Sequence, residues 1–204
     1  MIESFRSSLA DAKQLLSLYE HCILGLKLPG DYSDLLRMSF VYCLSALDKL
    51  IHDIIVHEMV EIYTGRRPPT PKYQAETISL DNHVVLGFST VPPPEILFEG
   101  IIRAKLGHLS FMDPDKLSEG LSLVWLQKHK WQVIADTMER DKNQVRTELR
   151  NLFKRRNAIV HETDRDPSTN QKLPIQLVDA ERGQRFIEKL GETIFQLIIY
   201  SSYL

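Results

Sequence analysis

The sequence predicts an all-α protein, a helical bundle of about four long helices plus several short ones. Two patterns predict it. Apolar residues recur in alternating steps of three and four over long stretches, and alternation at period two is nearly absent. The prolines fall between these periodic stretches or at their starts, where they break or open helices. No internal repeat or low-complexity segment divides the chain. Its 204 residues fit one domain (1–204) of ordinary size, with a proline-rich insertion at about 66–113.

Residues 2–26 carry Ile2, Phe5, Leu9, Ala12, Leu16, Tyr19, Ile23 and Leu26, an unbroken three-four row over more than three heptads. This row packs either within the chain or across a dimer. Helix one ends near Gly25, and Pro29-Gly30-Asp31 forms a turn. A second long helix is expected over Asp34–Thr64, with Ser33 as N-cap and Gly65 as stop. Its stripe is Leu36, Phe40, Leu44, Leu47, Ile51, Ile54 or Ile55, and Met59, and its polar side holds Asp48, His52, Asp53, His57 and Glu61.

Arg66-Arg67-Pro68-Pro69-Thr70-Pro71 ends that helix, because two adjacent prolines remove donors and fix φ. The stretch 66–113 is expected to hold a loop and short helices near Ser79–Leu86 and Pro93–Leu106. Asp113-Pro114 reads as an N-cap and first-turn pair for a helix over Asp115–Gln127. Trp131, Ile134 and Met138 mark another short helix. Asp141, with Gln144 as capping-box partner, opens a long one. The last helix is expected from Ala180 to Tyr203, on Phe186, Leu190, Ile194, Leu197 and Ser201, with Asp179 as N-cap.

The composition excludes several function classes. A formal charge of −2 argues against a protein that coats nucleic acid nonspecifically, so any polyanion site must be a local patch. No apolar run reaches membrane-span length, and the first residues lack a signal-peptide profile. The two cysteines, Cys22 and Cys43, fall in apolar helical patterns and read as core residues. A reducing, cytoplasmic setting is the expectation. His52 and His57 lie five apart, not the four of a zinc-protease helix, and no Cys-x-x-Cys or Gly-rich phosphate loop occurs. No metal and no cofactor is therefore expected. Asp48 with His52, and His57 with Glu61, are i,i+4 pairs of the kind that usually stay solvated.

The helix from Asp141 carries the anomaly. Its apolar row runs Val145, Leu149, Leu152 and then Ile159, and the step after Leu152 lands on Arg156. A guanidinium in a core row keeps its charge and needs an anion, an acceptor cluster or a wet crevice. Asn157 follows, and His161 stands one i,i+4 step beyond it, so that Arg, Asn and His are expected along one flank. Lys142, Arg146, Arg150 and Lys154 form a basic ridge leading to Arg155 and Arg156. A solvated helix face accounts for that ridge taken alone. Its end at Arg156 and His161 adds weight, because RNA brings its own 2′-hydroxyl nucleophile. A histidine can then move the proton while an arginine forks onto the phosphate. One Arg and one His are thin for both acid and base, but a two-fold dimer doubles each.

The segment Arg155-Arg156-Asn157-Ala158-Ile159-Val160-His161 resembles the Arg-x4-6-His signature of HEPN domains. Ser45-Ala46-Leu47-Asp48-Lys49-Leu50-Ile51-His52-Asp53 is similar to the helix-two segment of the RiboL-PSP-HEPN subgroup. The resemblance implies a dimeric helical bundle whose two motifs meet in a cleft. It also implies a metal-independent endoribonuclease leaving a 2′,3′-cyclic phosphate and a 5′-hydroxyl. The expected setting is a toxin–antitoxin or antiviral defence system, with RNA as substrate and an antitoxin or defence protein as partner. Carried over, Arg156 binds phosphate, His161 is the acid/base, Asn157 is the polar residue after the arginine, and Asp48 is an acidic helper. Arg150, Lys154 and Arg155 are the candidate substrate-binding cations. The alternative is a non-catalytic module binding RNA, a nucleotide or a partner protein. The proline-rich 66–113 stretch departs from the minimal family core, with covering the cleft, narrowing substrate choice and contacting a partner as its open roles.

Overall fold

The computed structural model describes residues 1–200, and over these the protein is all-α. The helices are α1 (Ile2–Glu20), α2 (Ser33–Tyr63), α3 (Pro71–Gln74), α4 (Leu80–Phe88), α5 (Pro94–Leu106), α6 (Pro114–Leu121), α7 (Lys130–Thr137), α8 (Lys142–Glu162) and α9 (Leu177–Ile199). A single wide π-turn, His21–Gly25, prolongs α1 to the expected end. The expected terminus at Tyr203, and Ser201 in the last row, lie outside the described residues.

The long helices α1, α2, α8 and α9 make the bundle, and α2 is its hub. It packs against α1, α5, α6, α8 and α9, which is why buried residues occur around most of its circumference. A helix enclosed this way has a blurred apolar stripe. One contiguous core runs from Phe5 to Ile199 through Leu47, Ile51, Ile54, Leu121, Ile134 and Leu149.

The α1 row is used inside the chain. Phe5, Leu9, Ala12 and Leu16 are buried against α2 and α9. Gln184 donates from Nε2 to Leu9 O at 2.9 Å, and Arg6 pairs with Glu192 at 3.0 Å. Gly191 is required at this crossing. A Cβ there would stand 2.4 Å from Phe5 Cζ and 3.1 Å from Leu50 Cδ2. At the far end of α2 the buried Glu58 pairs with Arg67, whose Nη2 donates to Ile198 O at 2.9 Å. Both cysteines are buried and free, and burial pushes the Cys43 thiol up to about 12.

Three helix starts and stops differ from expectation. Ser33 is the first residue of α2, not its cap; Asp31 accepts the Ser33 N–H at 2.8 Å, and the Ser33 hydroxyl accepts from Arg37 at 2.6 Å. Asp179 lies in the first turn of α9, which begins at Leu177 because Leu177 packs against Leu16, Leu36 and Ala180. Helix α6 stops at Leu121, six residues early. The buried Thr70 hydroxyl lies 3.1 Å from Ser122 O and 2.8 Å from Leu123 O, diverting carbonyls a continuing helix would use.

Replacing Gly191 by Ala should destabilise the fold by about 1–3 kcal/mol through overpacking onto Phe5 and Leu50. Urea unfolding of the two proteins measures the difference.

Candidate functional site

Helix α8 starts as expected, with Asp141 Oδ1 accepting from the N–H groups of Asn143 and Gln144, both at 2.9 Å. Along its inward row Val145 and Leu149 are fully buried, while Leu152 and Ile159 are half-buried. Arg156 occupies the row between them and faces a cleft of about 460 Å³ between α8, α2 and the end of α5. Its Nη1 donates to Asn157 Oδ1 at 3.2 Å. Its Nε is buried with no hydrogen-bond partner, and Arg156 makes no ion pair among the described residues. A buried donor left unmade costs about 1–3 kcal/mol.

The α2 wall of this cleft carries Asp48, Lys49, His52 and Asp53. Asp48 Oδ1 accepts the Phe111 N–H at 2.6 Å, which ties the loop after α5 to α2. His52 Nε2 lies 3.2 Å from Leu109 O, and its ring sits 4.6 Å from the Phe111 ring. Burial pushes the Asp53 carboxyl up, but hydrogen bonds from Lys49 (2.5 Å) and Arg103 (3.1 Å) outweigh it and hold the group below its ordinary value. With Asp48 and Asp53 set against Lys49 and Arg103, Arg156 leaves the lining with one excess positive charge. The opposite wall, Arg103, Gly107, Leu109 and Met112, comes from the proline-rich stretch 66–113.

The remaining site residues are distributed around α8. Five helical steps turn a side chain by roughly 140°, so an unbroken helix separates His161 from Arg156. Helix α8 is unbroken to Glu162, and His161 is exposed and does not line the Arg156 cleft. The single flank expected for Arg, Asn and His is therefore a fan, with Arg156 inward and His161 outward. Lys154 is exposed, and Arg150 and Arg146 share the exposed Asp115 carboxylate at 3.0 and 2.5 Å. Such surface pairs are worth little. Arg155 leaves the ridge altogether. Its Nη2 donates to Asp164 Oδ2 at 2.7 Å and to Pro174 O at 3.0 Å.

Asp164 is fully buried and also accepts from Arg37 Nε at 2.7 Å. Arg37 Nη2 in turn donates to Leu173 O at 2.5 Å. This knot fixes the end of α8, where Thr163 and Asp164 both hold positive φ (53° and 55°) and Asp164 N–H closes onto Ala158 O at 2.9 Å. Two non-glycine residues in that region are strained, and the ion pairs hold them. A larger cleft of about 590 Å³ lies on another face of α8, between it and α9, floored by Phe40 and Leu152. Among the described residues no group of three or more His, Cys, Asp or Glu converges as a metal site, and no helix is long and apolar enough to cross a membrane.

Sequence reasoning missed His52 as a cleft residue and Asp164 as a buried anchor. The signal for His52 was present in its i,i+4 spacing from Asp48, but its contacts come from a loop 57 residues away. No family model, curated protein or solved structure compared with the chain matches it.

Asp164→Ala takes away the buried counter-charge of Arg37, leaving it only the exposed Asp34 at 3.4 Å, and should cost about 3–5 kcal/mol. The shift of the urea midpoint at constant slope reads this directly.

Proposed function

We propose that this chain is a metal-independent, HEPN-type endoribonuclease acting as a homodimer in a toxin–antitoxin or antiviral defence system. The observation that carries the reading is Arg156, a cation in a core row, without an ion-pair partner and lining a cleft, five residues before His161 near the end of α8. In this reading Arg156 forks onto a bridging phosphate and Asn157 holds the guanidinium in place. A base takes the 2′-hydroxyl proton as the O2′–P bond forms. The P–O5′ bond breaks and an acid protonates the departing oxygen, leaving a 2′,3′-cyclic phosphate and a 5′-hydroxyl. His161 supplies acid/base function, and the exposed Lys154 and the half-buried Arg150 receive the flanking strand.

Two features support the homodimer. The described chain has an accessible surface of 11642 Å². A compact monomer of this mass exposes about 9,800 Å². Met38 and Tyr42, exposed at 44% and 46%, extend the α2 row that reaches the cleft at Ser45 and Lys49. A two-fold contact along that row is self-complementary and brings two copies of the motif together. Tyr42→Arg should then raise the dimer dissociation constant at least roughly tenfold, measured by analytical ultracentrifugation.

Purified protein in chelator should cut single-stranded RNA, with end-group analysis giving cyclic phosphate and 5′-hydroxyl termini. His161→Ala should lower the rate by about 10²–10⁴-fold, and Arg156→Ala by about 10²–10³-fold, with the dimer intact. Cutting by His161→Ala at the wild-type rate removes the catalytic assignment. Growth arrest on expression, relieved by either substitution, supports the toxin setting. The placement of His161 outside the cleft favours a second reading, a non-catalytic RNA-binding module. That module binds RNA with steep salt dependence and yields no new ends.

A further inference from the structure

We propose that His52 is the second acid/base residue of the same site, held for proton transfer by the loop that follows α5. The inference rests on the ribonuclease reading above and adds a residue to it. A phosphodiester cleavage of this type needs one group to accept the 2′-hydroxyl proton and another to protonate the 5′-oxygen. Within one protomer the imidazole that shares the cleft with Arg156 is His52, whereas His161 is exposed outside it.

The surroundings of His52 orient it for this work. A backbone carbonyl only accepts, so Nε2 donates its proton to Leu109 O, and the neutral ring carries its lone pair on Nδ1. A carbonyl that fixes the tautomer of an imidazole is the ordinary way an acid/base histidine is oriented. The carbonyl is itself held in place. Asp48, one helical turn before His52, binds the Phe111 N–H at 2.6 Å, and the Phe111 ring packs on the imidazole at 4.6 Å. The carboxylate expected to help catalysis thus positions the loop that positions the histidine. The charged groups lining the cleft with His52 are Asp48, Lys49 and Asp53 of its own helix, Arg103 of α5 and Arg156 of α8.

In the resulting step His52 Nδ1 takes the 2′-hydroxyl proton while O2′ bonds to phosphorus. The P–O5′ bond breaks, and His161, brought to the cleft by the two-fold contact of the proposed homodimer, gives its proton to the leaving oxygen. Exchange with water then returns both rings to their starting states, so the turnover consumes no net proton.

The test is His52→Gln, whose side-chain amide can still donate to Leu109 O but cannot titrate. Single-stranded RNA is the substrate, with chelator present. The expected result is a kcat at least about 100-fold below wild type, a KM within about threefold, and loss of one limb of the pH–rate profile of kcat/KM. Retention of both limbs, whatever the rate, overturns the assignment. If His52→Gln shows no cooperative melting transition, His52→Ala decides. Restoration of cutting by added imidazole supports the assignment, and its absence overturns it. A wild-type protein that does not cut RNA removes the ribonuclease reading itself, a result distinct from an active wild type with an indifferent His52.

Discussion

Everything at the working end of α8 depends on one buried carboxylate. Asp164 lies between Arg37 of α2 and Arg155 of α8, with one oxygen shared by both guanidinium groups. Arg37 and Asp164 are taken out of water while Arg155 stays partly exposed, and the costly burial is offset because each guanidinium also finds carbonyl or hydroxyl acceptors. What the knot secures is position. It joins the N-terminal part of α2 to the C-terminal part of α8 and to the segment just beyond it, where Thr163 and Asp164 hold left-handed backbone. Arg156 consequently meets α2 beside Ser45, Asp48 and His52.

The two arginines side by side show how neighbours in sequence part in function. Arg155 and Arg156 differ by one helical step, about 100° of rotation. One turns to a carboxylate and carbonyls and becomes structure. The other turns into a cleft and keeps an unmatched Nε. The insertion completes that cleft: its loop gives Leu109 O to His52 and Phe111 N–H to Asp48, so the part of the chain furthest from a minimal bundle supplies a wall.

Much of the fold was legible in the sequence because it rests on local periodicity. The α1 row, the α8 cap at Asp141 and the helices flanking the proline runs all follow from spacing and capping chemistry. The end of α6 was not legible, since a Thr70 hydroxyl more than fifty residues earlier truncates it. Arg156 was visible as a cation in an apolar row. The outward turn of His161 follows from helical geometry alone. Nothing local in the sequence marks Asp164 as fully buried, because its partner Arg37 lies 127 residues earlier. His52 looked like half of a solvated pair because the groups that hold it arrive from a distant loop.

The crossing of Phe5 over Gly191 joins segments 186 residues apart. During synthesis α1 leaves the ribosome first and α9 last, separated by roughly ten to forty seconds at typical elongation rates. Through that interval the apolar row of α1 can pack on α2, which supplies the larger share of its eventual cover, but not on α9. The seating of Phe5 on Gly191 therefore waits until α9 has been made.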